Sequence, residues 1–178
     1  MLNIMGGHCI PQLTYLFGDF TSLSATSAVQ WPTYVVVEPD GSLSESRVNT
    51  MPDHIAFTGK TTSGVVAVVS WRTGYKQGSQ KVLSWQIDGT EGNILVESDE
   101  GAYPHITEPD IYVNGQKIDL ASCYPEEQFG AVGNMTRLWK AFALGEKEAY
   151  SDVQDGVAVY HVLQAITKSS LEGTRVEL

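Results

Sequence analysis

The stretch DHIAFTGKTTSGVVAVVSWR, residues 53–72, decides the fold class. Two runs rich in β-branched and aromatic residues, 53–59 and 65–72, flank the segment 60–64, which contains glycine and serine. Such runs favour strands, and a five-residue connection that contains glycine is typical of a hairpin. Residues 65–69 are apolar at every position, a pattern that predicts a central strand covered on both faces.

Two further hairpins follow along the chain. Residues 82–88 and 93–97 flank a turn at 89–92, and residues 110–113 and 116–120 flank Asn114-Gly115, the dipeptide that most strongly favours a two-residue turn. Side chains alternate between the faces of a strand. Leu83, Trp85 and Ile87 are therefore expected on one face of the first of these strands, and Gln86 on the other.

Helices are expected at both ends of the chain. Apolar residues at helical spacing predict a helix over 9–17 that ends at Gly18, with Pro11 tolerated only in the first turn. A helix over 134–144 is ended by Gly145, and a helix capped by residues 151–152 runs to about Glu172, before Gly173. We therefore predict one α+β domain over residues 1–178, with a largely antiparallel open β-sheet and helices packed on one face.

Composition excludes several classes of partner. The chain has 178 residues, 11 Lys and Arg against 21 Asp and Glu, and a net charge of −10. The basic residues are scattered, so neither nucleic acid nor an anionic membrane is an expected partner. The first residues lack the features of a signal peptide, and a cytoplasmic location is expected. His54 follows Asp53 without a third ligand at metal spacing, so no metal is expected.

Three segments together resemble the C-terminal domain of the Gfo/Idh/MocA oxidoreductase family, in particular the fungal branch that contains the yeast galactose-pathway repressor. The first is Gly6-x-His8, followed ten residues later by Gly18. The second is residues 87–94, IDGTEGNI, which are similar to a conserved hairpin of that family. The third is the closing pair of helices, residues 135–145 and 155–173.

The resemblance implies a fold but only part of an active site. The family's oxidoreductases add an N-terminal Rossmann domain, which holds the nicotinamide cofactor and supplies a lysine from an E-K-P motif. In the family's D-x-G-x-H motif, the acid and the histidine transfer protons with the substrate hydroxyl. Here Ile4 stands in the place of the acid, Pro11 stands where a further Asp is frequent, and only His8 matches. The chain also lacks a glycine-rich dinucleotide turn, so no cofactor is expected for it alone.

The sequence therefore favours a cofactor-independent enzyme acting on a small-molecule substrate. The hypothesis is a cyclase or isomerase, with a pericyclase as one form, acting on a fungal-type secondary metabolite. Such chemistry needs a shaped site with one or two proton donors. Its residues would be His8 and Tyr75 to orient or protonate the substrate, Arg72 to hold negative charge, Trp71 as a stacking wall, and Trp85 and Gln86 as further substrate contacts.

Two alternatives remain open. The chain can be the C-terminal substrate-binding and dimerisation domain of an NAD(P)-dependent oxidoreductase whose Rossmann domain is missing from this chain. It can also be a non-enzymatic ligand sensor or regulatory dimerisation module. The resemblance implies a homodimer formed through the open face of the sheet. For several candidate residues a structural role is equally open: His8 as a packing residue at the helix start, Arg72 as a solvated strand end, and Trp85 in the core.

Overall fold

The computed structural model of the chain describes residues 2–74, 81–104, 106–123 and 130–178. The helices are α1 Gly7–Phe17, α2 Leu120–Cys123, α3 Gly130–Leu144 and α4 Val153–Glu172; the strands are β1 Phe20–Ala28, β2 Thr33–Tyr34, β3 Arg47–Val48, β4 His54–Thr61, β5 Val66–Arg72, β6 Leu83–Gly89, β7 Gly92–Ser98, β8 Asp110–Val113, β9 Gln116–Lys117 and β10 Val176–Glu177. This mixture of helices and antiparallel strands confirms the predicted α+β class.

The chain divides into two compact units. The first comprises Met1–Tyr75 and Val153–Leu178, and the second comprises Lys76–Asp152. The prediction that residues 1–178 form one domain stays a prediction. Among the residues that the structure describes, none of the helices is both long and apolar enough to cross a membrane.

The first unit is built on an antiparallel sheet in the order β10-β1-β4-β5. The strands β4 and β5 pair with Phe57 opposite Val69, and β1 pairs with β4 so that Ala25 lies opposite Phe57. The predicted hairpin over residues 53–72 is therefore confirmed. The chain returns at its end to add β10 beside β1, with Val176 opposite Leu23.

One face of this sheet carries the core of the first unit. Along β4 buried and exposed residues alternate, because the pleat turns every second side chain towards the helices. The ring of Phe57 packs edge-on against Phe20 and Trp71, with centroid distances of 5.8 and 5.6 Å. Ile10 of α1 and Ile166 of α4 are fully buried in the same cluster. The helices of this unit thus cover one face of the sheet, as predicted.

The other face of the sheet is open, which corrects the prediction that residues 65–69 form a strand covered on both sides. In the sheet as described β5 is the last strand, and Val66 and Val68 are 69% and 77% exposed. Ala67 and Val69 point inward and pack on the core. An uninterrupted apolar run does not distinguish a strand buried on both faces from one whose second face is left for a partner.

The helix α1 follows a π-helical turn, Leu2–Gly6, and ends as predicted at Gly18, whose amide donates to the carbonyl of Thr14 over 2.8 Å. Pro11 lies beyond the first turn, so that prediction was wrong. A proline has no N–H to donate to the carbonyl four residues earlier, so one helical hydrogen bond is missing at Pro11. Helices accommodate a missing hydrogen bond next to a wider, π-helical turn.

Gly6 is required by the packing of α1. A Cβ atom at this position would collide with the side chain of Leu163 in α4 and touch the ring of Trp71. The glycine of the Gly6-x-His8 motif therefore lets the start of α1 approach α4 and the sheet closely, which fixes the position of His8.

The second unit holds the antiparallel sheet β6-β7-β8-β9. The turn between β8 and β9 has positive φ at both Asn114 (51°) and Gly115 (78°), as the predicted two-residue hairpin requires. The helix α3 begins at Gly130, four residues before the predicted start, and is followed by Gly145 with φ of 72°. Its predicted apolar stripe is exposed at Met135, Leu138, Trp139 and Phe142.

The helix α4 packs on the first unit mainly through its second half. Val162, Leu163, Ala165, Ile166 and Ser169 are its buried residues. The Ser169 hydroxyl accepts a hydrogen bond from the amide of Ala25 over 2.8 Å and donates to the carbonyl of Thr174 over 2.6 Å. This buried serine joins the end of α4 to β1. It supplies a hydrogen-bond acceptor to the amide of Ala25, which lies beyond the residues of β1 that pair with the short strand β10.

Candidate functional site

His8 is the second residue of α1 and is exposed. The next two residues, Cys9 and Ile10, are buried in the core. The exposed side chains of Ile4 and Tyr15 lie four residues before and seven residues after His8, so all three share one face of the helix. We call Ile4, His8, Tyr15 and the exposed Leu16 the α1 surface.

The structure does not bring Arg72 to the side of the sheet on which α1 lies. Trp71 is 6% exposed, belongs to the same core cluster as Cys9 and Ile10, and packs edge-on against Phe57. Arg72 is the following residue in β5, so strand alternation turns it to the open face, where it lies opposite His54. Trp71 thus occupies a core position, whereas Arg72 lies across the sheet from the helix that carries His8.

The remaining candidate residues are dispersed. Trp85 and Gln86 belong to β6 of the second unit; Trp85 is half-buried, and the Gln86 side chain donates to the Asp88 carboxylate over 3.2 Å. The predicted alternation of Leu83, Trp85 and Ile87 against Gln86 is confirmed by burial. Tyr75 lies outside the described residues. The catalytic and substrate-binding roles assigned to these side chains remain predictions.

Sequence reasoning missed the hydrogen-bonded environment of a buried carboxylate, Asp53. Its two oxygens accept from the amides of Gln30 and Trp31, each at 2.8 Å, and from the Asn49 side chain at 3.2 Å. Nδ1 of His54 lies 2.8 Å from the same carboxylate. The amide donors Gln30 and Trp31 lie more than twenty residues before Asp53, and backbone amides leave no motif, so the sequence showed only the adjacent His54.

The electrostatics of Asp53 follow from these contacts. Burial by itself would raise the pKa of the carboxyl group. The hydrogen bonds from His54, Gln30 and Trp31 oppose it and lower the pKa to about 2. Asp53 is therefore ionised at neutral pH and fixes the orientation of the His54 ring through Nδ1. Within the described ranges, no group of three His, Cys, Asp or Glu side chains could hold a metal ion.

The two cysteines are expected to differ sharply in reactivity. Burial raises the pKa of the Cys9 thiol to about 11, whereas Cys123 is exposed in α2. Because the thiolate is the reactive form, a thiol reagent at pH 8 is expected to label Cys123 within minutes and Cys9 only in denaturant. Mass spectrometry of labelled peptides measures both rates, and a Cys123→Ser variant gives the rate of Cys9 alone. Equal labelling of both thiols in the native chain would contradict the burial of Cys9.

The fold and the helix that carries His8 define the C-terminal domain type of the Gfo/Idh/MocA oxidoreductases and of Gal80p. The family model described as the C-terminal domain of Gal80p matches residues 1–98, more than half of the chain. The chain belongs to this family.

Individual relatives extend the match to nearly the whole chain. Dehydrogenase aclE of Aspergillus oryzae is 22% identical over 188 residues, which cover 97% of this chain and 47% of that protein. A super-repressor mutant of Gal80p from Saccharomyces cerevisiae superposes with a TM-score of 0.80 at 20% identity, covering 99% of this chain and 49% of that one.

Solved oxidoreductases share the same fold. A levoglucosan dehydrogenase in complex with NADH has a TM-score of 0.70 at 19% identity and covers 97% of this chain and 48% of that one. An aldose-aldose oxidoreductase from Caulobacter crescentus has a TM-score of 0.67 at 16% identity, covering 97% and 46%. The chain thus spans about half the length of the relatives it matches. These comparisons favour the oxidoreductase alternative over the cofactor-independent cyclase.

Proposed function

We propose that this chain is the substrate-binding and dimerisation domain of an NAD(P)-dependent oxidoreductase. The nucleotide-binding domain would be a separate part of the same protein. The observation that carries the proposal is the α1 surface, where the exposed Ile4, Tyr15 and Leu16 accompany an exposed histidine. A docking site for a second domain needs such a surface, since exposed clusters of large apolar residues mark interaction sites.

The residues of this chain do not fit the cofactor itself. The sequence has no glycine-rich turn of the G-x-G-x-x-G kind, whose backbone would approach a pyrophosphate. The nicotinamide, when bound by the other domain, would accept or donate a hydride. This chain would contribute the walls that orient the substrate and a group that handles the proton.

His8 is the residue proposed for that proton. Its place at the start of α1 is fixed by Gly6, which the packing of α4 requires, so the imidazole is held on a rigid element. Histidine is a frequent general acid or base, and one positioned beside a substrate hydroxyl can take its proton as the carbonyl forms. Two structural neighbours are an aldose-aldose oxidoreductase and a levoglucosan dehydrogenase in complex with NADH and L-sorbose, and we propose a polyhydroxylated substrate here as well.

The test uses the full-length native protein, assayed with NAD⁺ or NADP⁺ against a panel of polyols and aldoses. Replacing His8 with alanine is expected to lower kcat/KM roughly 100-fold or more, as the loss of a general base does. The matched control is His161→Ala, another exposed histidine on a helix, which should leave kcat/KM unchanged. A His8→Ala variant of the active protein with unaltered kcat/KM would contradict the role of His8.

A regulatory module is the second candidate, and the family match to Gal80p favours it. It predicts ligand binding by the full-length protein without turnover of any substrate. The cyclase hypothesis placed His8 and Arg72 at one substrate, yet Arg72 lies across the sheet from α1. Turnover of a metabolite by this chain without a cofactor would restore that hypothesis.

A further inference from the structure

Trp31 is fixed by hydrogen bonds at its backbone and at its ring. Its amide donates to the Asp53 carboxylate over 2.8 Å, and its carbonyl accepts from the Asn49 side chain over 3.1 Å. The indole Nε1 donates to the carbonyl of Thr73 over 3.2 Å. Because both the backbone and the ring are held, a ligand that contacts the ring has little conformational entropy left to remove.

The indole of Trp31 also packs closely on the backbone of Gly74. A Cβ atom at that position would collide with the Trp31 ring. Gly74 has φ of 77°, in the left-handed region that glycine adopts without strain. The position of the ring therefore depends on a glycine that follows β5.

Trp31 is nevertheless 50% exposed. Nε1 is the single polar atom of an indole, and in Trp31 it is already bonded to the carbonyl of Thr73. The rest of the ring consists of carbon, which offers apolar area and the negative face of its π-electrons. A rigid ring of this kind is suited to stacking against the C–H groups of a ligand, since ligand sites combine aromatic walls with a few polar groups.

The helix α1 runs along β5 in the opposite direction. At its start, a Cβ atom on Gly6 would touch the ring of Trp71, near the end of β5. At its end, the carbonyl of Phe17 accepts a hydrogen bond from the hydroxyl of Ser63, in the turn before β5. His8 therefore lies at the end of the sheet where β5 finishes.

Trp31 lies at this same end of the sheet. Thr73, whose carbonyl its indole contacts, directly follows the last residue of β5. Thr73 lies roughly 7 Å beyond Trp71 along the strand direction, and His8 lies about 3 Å along α1 from Gly6. The histidine and the indole are thus separated by roughly 10 Å in this direction, a gap that a monosaccharide in contact with both side chains would fill.

We infer that Trp31 is the stacking platform for the ring of a pyranose substrate whose reacting hydroxyl lies beside His8. The inference rests on the proposed function and names the feature of the substrate that the site recognises. One face of a pyranose presents a patch of C–H groups, which pack on the negative face of an indole. An acyclic alditol with the same number of carbons has no such face, so Trp31 selects the ring form.

Stacking of this kind affects KM more than kcat. The ring of the substrate contacts the indole both before and during the transfer of the hydride, so the contact stabilises the ground state and the transition state alike. Removing uniform binding raises KM and leaves kcat nearly unchanged, whereas removing a group that handles the proton lowers kcat. Trp31 and His8 are therefore distinguished by which constant their replacement changes.

The experiment uses the full-length native protein with NAD⁺ or NADP⁺ and three matched pairs of substrates: D-glucose with D-sorbitol, D-mannose with D-mannitol, and D-xylose with xylitol. Trp31→Ala should raise KM for the accepted pyranoses roughly tenfold, as the loss of an aromatic contact does, with kcat and the KM for alditols nearly unchanged. The matched control is Trp139→Ala, at a tryptophan that is 61% exposed on α3, which should change none of these constants.

Two further variants separate stacking from packing. Trp31→Phe keeps an aromatic face and should recover most of the affinity for pyranoses, whereas Trp31→Leu keeps apolar bulk without that face and should behave like Trp31→Ala. Circular dichroism establishes that each variant is folded, and the comparison of Phe with Leu carries the test if the alanine variant does not fold. Saturation-transfer NMR with D-glucose measures contact with the full-length protein directly and should lose its signal in Trp31→Ala.

The outcomes separate this inference from the proposed function. A KM that is unchanged in Trp31→Ala, or that rises equally for pyranoses and alditols, overturns the stacking role, as does an enzyme that accepts alditols alone. A protein that turns over no member of the panel overturns the proposed function. In that case saturation transfer to D-glucose that depends on Trp31 would still support the platform, and its absence would overturn the platform as well.

Discussion

Replacing Trp71 with alanine is expected to destabilise the first unit by about 3–5 kcal/mol, as the loss of a fully packed aromatic side chain does. The indole is 6% exposed, packs edge-on against Phe57, and lies beside Gly6, where α1 meets α4. Its removal leaves a cavity between the sheet and α1 that the rigid core cannot close.

Urea unfolding followed by far-UV circular dichroism measures the change in the free energy of unfolding. The matched control is Trp139→Ala, since Trp139 is exposed on α3 and should cost well under 1 kcal/mol by comparison. Trp71→Phe should recover much of the stability. A Trp71→Ala chain as stable as the control would contradict the place of Trp71 in the core.

Replacing Asp53 with asparagine is expected to lower the Tm by about 5 °C and to loosen the two-stranded ribbon of residues 31–49. The amide turns one acceptor into a donor that faces another donor, so the N–H of Gln30 or Trp31 loses its acceptor. Cleavage by a Glu-specific protease at Glu45 should rise at the same time. Asp88→Asn, at an exposed carboxylate in β6, is the control and should change neither quantity.

The acid stability of the chain should depend on the same carboxylate. The folded pKa of Asp53, about 2, lies below its ordinary value of 3.8. Its contribution is therefore complete above about pH 4 and is lost as the pH falls towards 2, because the unfolded chain then binds the proton more tightly. The unfolding free energy of the Asp53→Asn variant should fall less over this interval. A parallel fall in both proteins would contradict the assigned pKa.

The sequence was sufficient where a local residue dictates the backbone. Asn114-Gly115 predicted the turn between β8 and β9, because few other residues adopt positive φ at both positions. Gly18 and Gly145 likewise predicted where α1 and α3 end. The order of these elements was enough to predict the fold class.

Features that depend on distant contacts were not predictable. Two of the donors to Asp53 are the backbone amides of Gln30 and Trp31, which lie more than twenty residues upstream and carry no sequence signal. The apolar run in β5 did not indicate which face of the strand would be exposed to solvent. Among the candidate site residues only His8 came from the resemblance to a motif, and it lies exposed near the start of α1.

The measurement that tests the central claim most directly is the intact mass of the native protein, isolated from its source with an antibody against this chain. The account predicts a polypeptide about twice the 19.4 kDa of the chain, with a glycine-rich turn in the additional sequence and tight binding of NAD(P)H. A native polypeptide of 19.4 kDa that binds no nucleotide would contradict the assignment to an oxidoreductase.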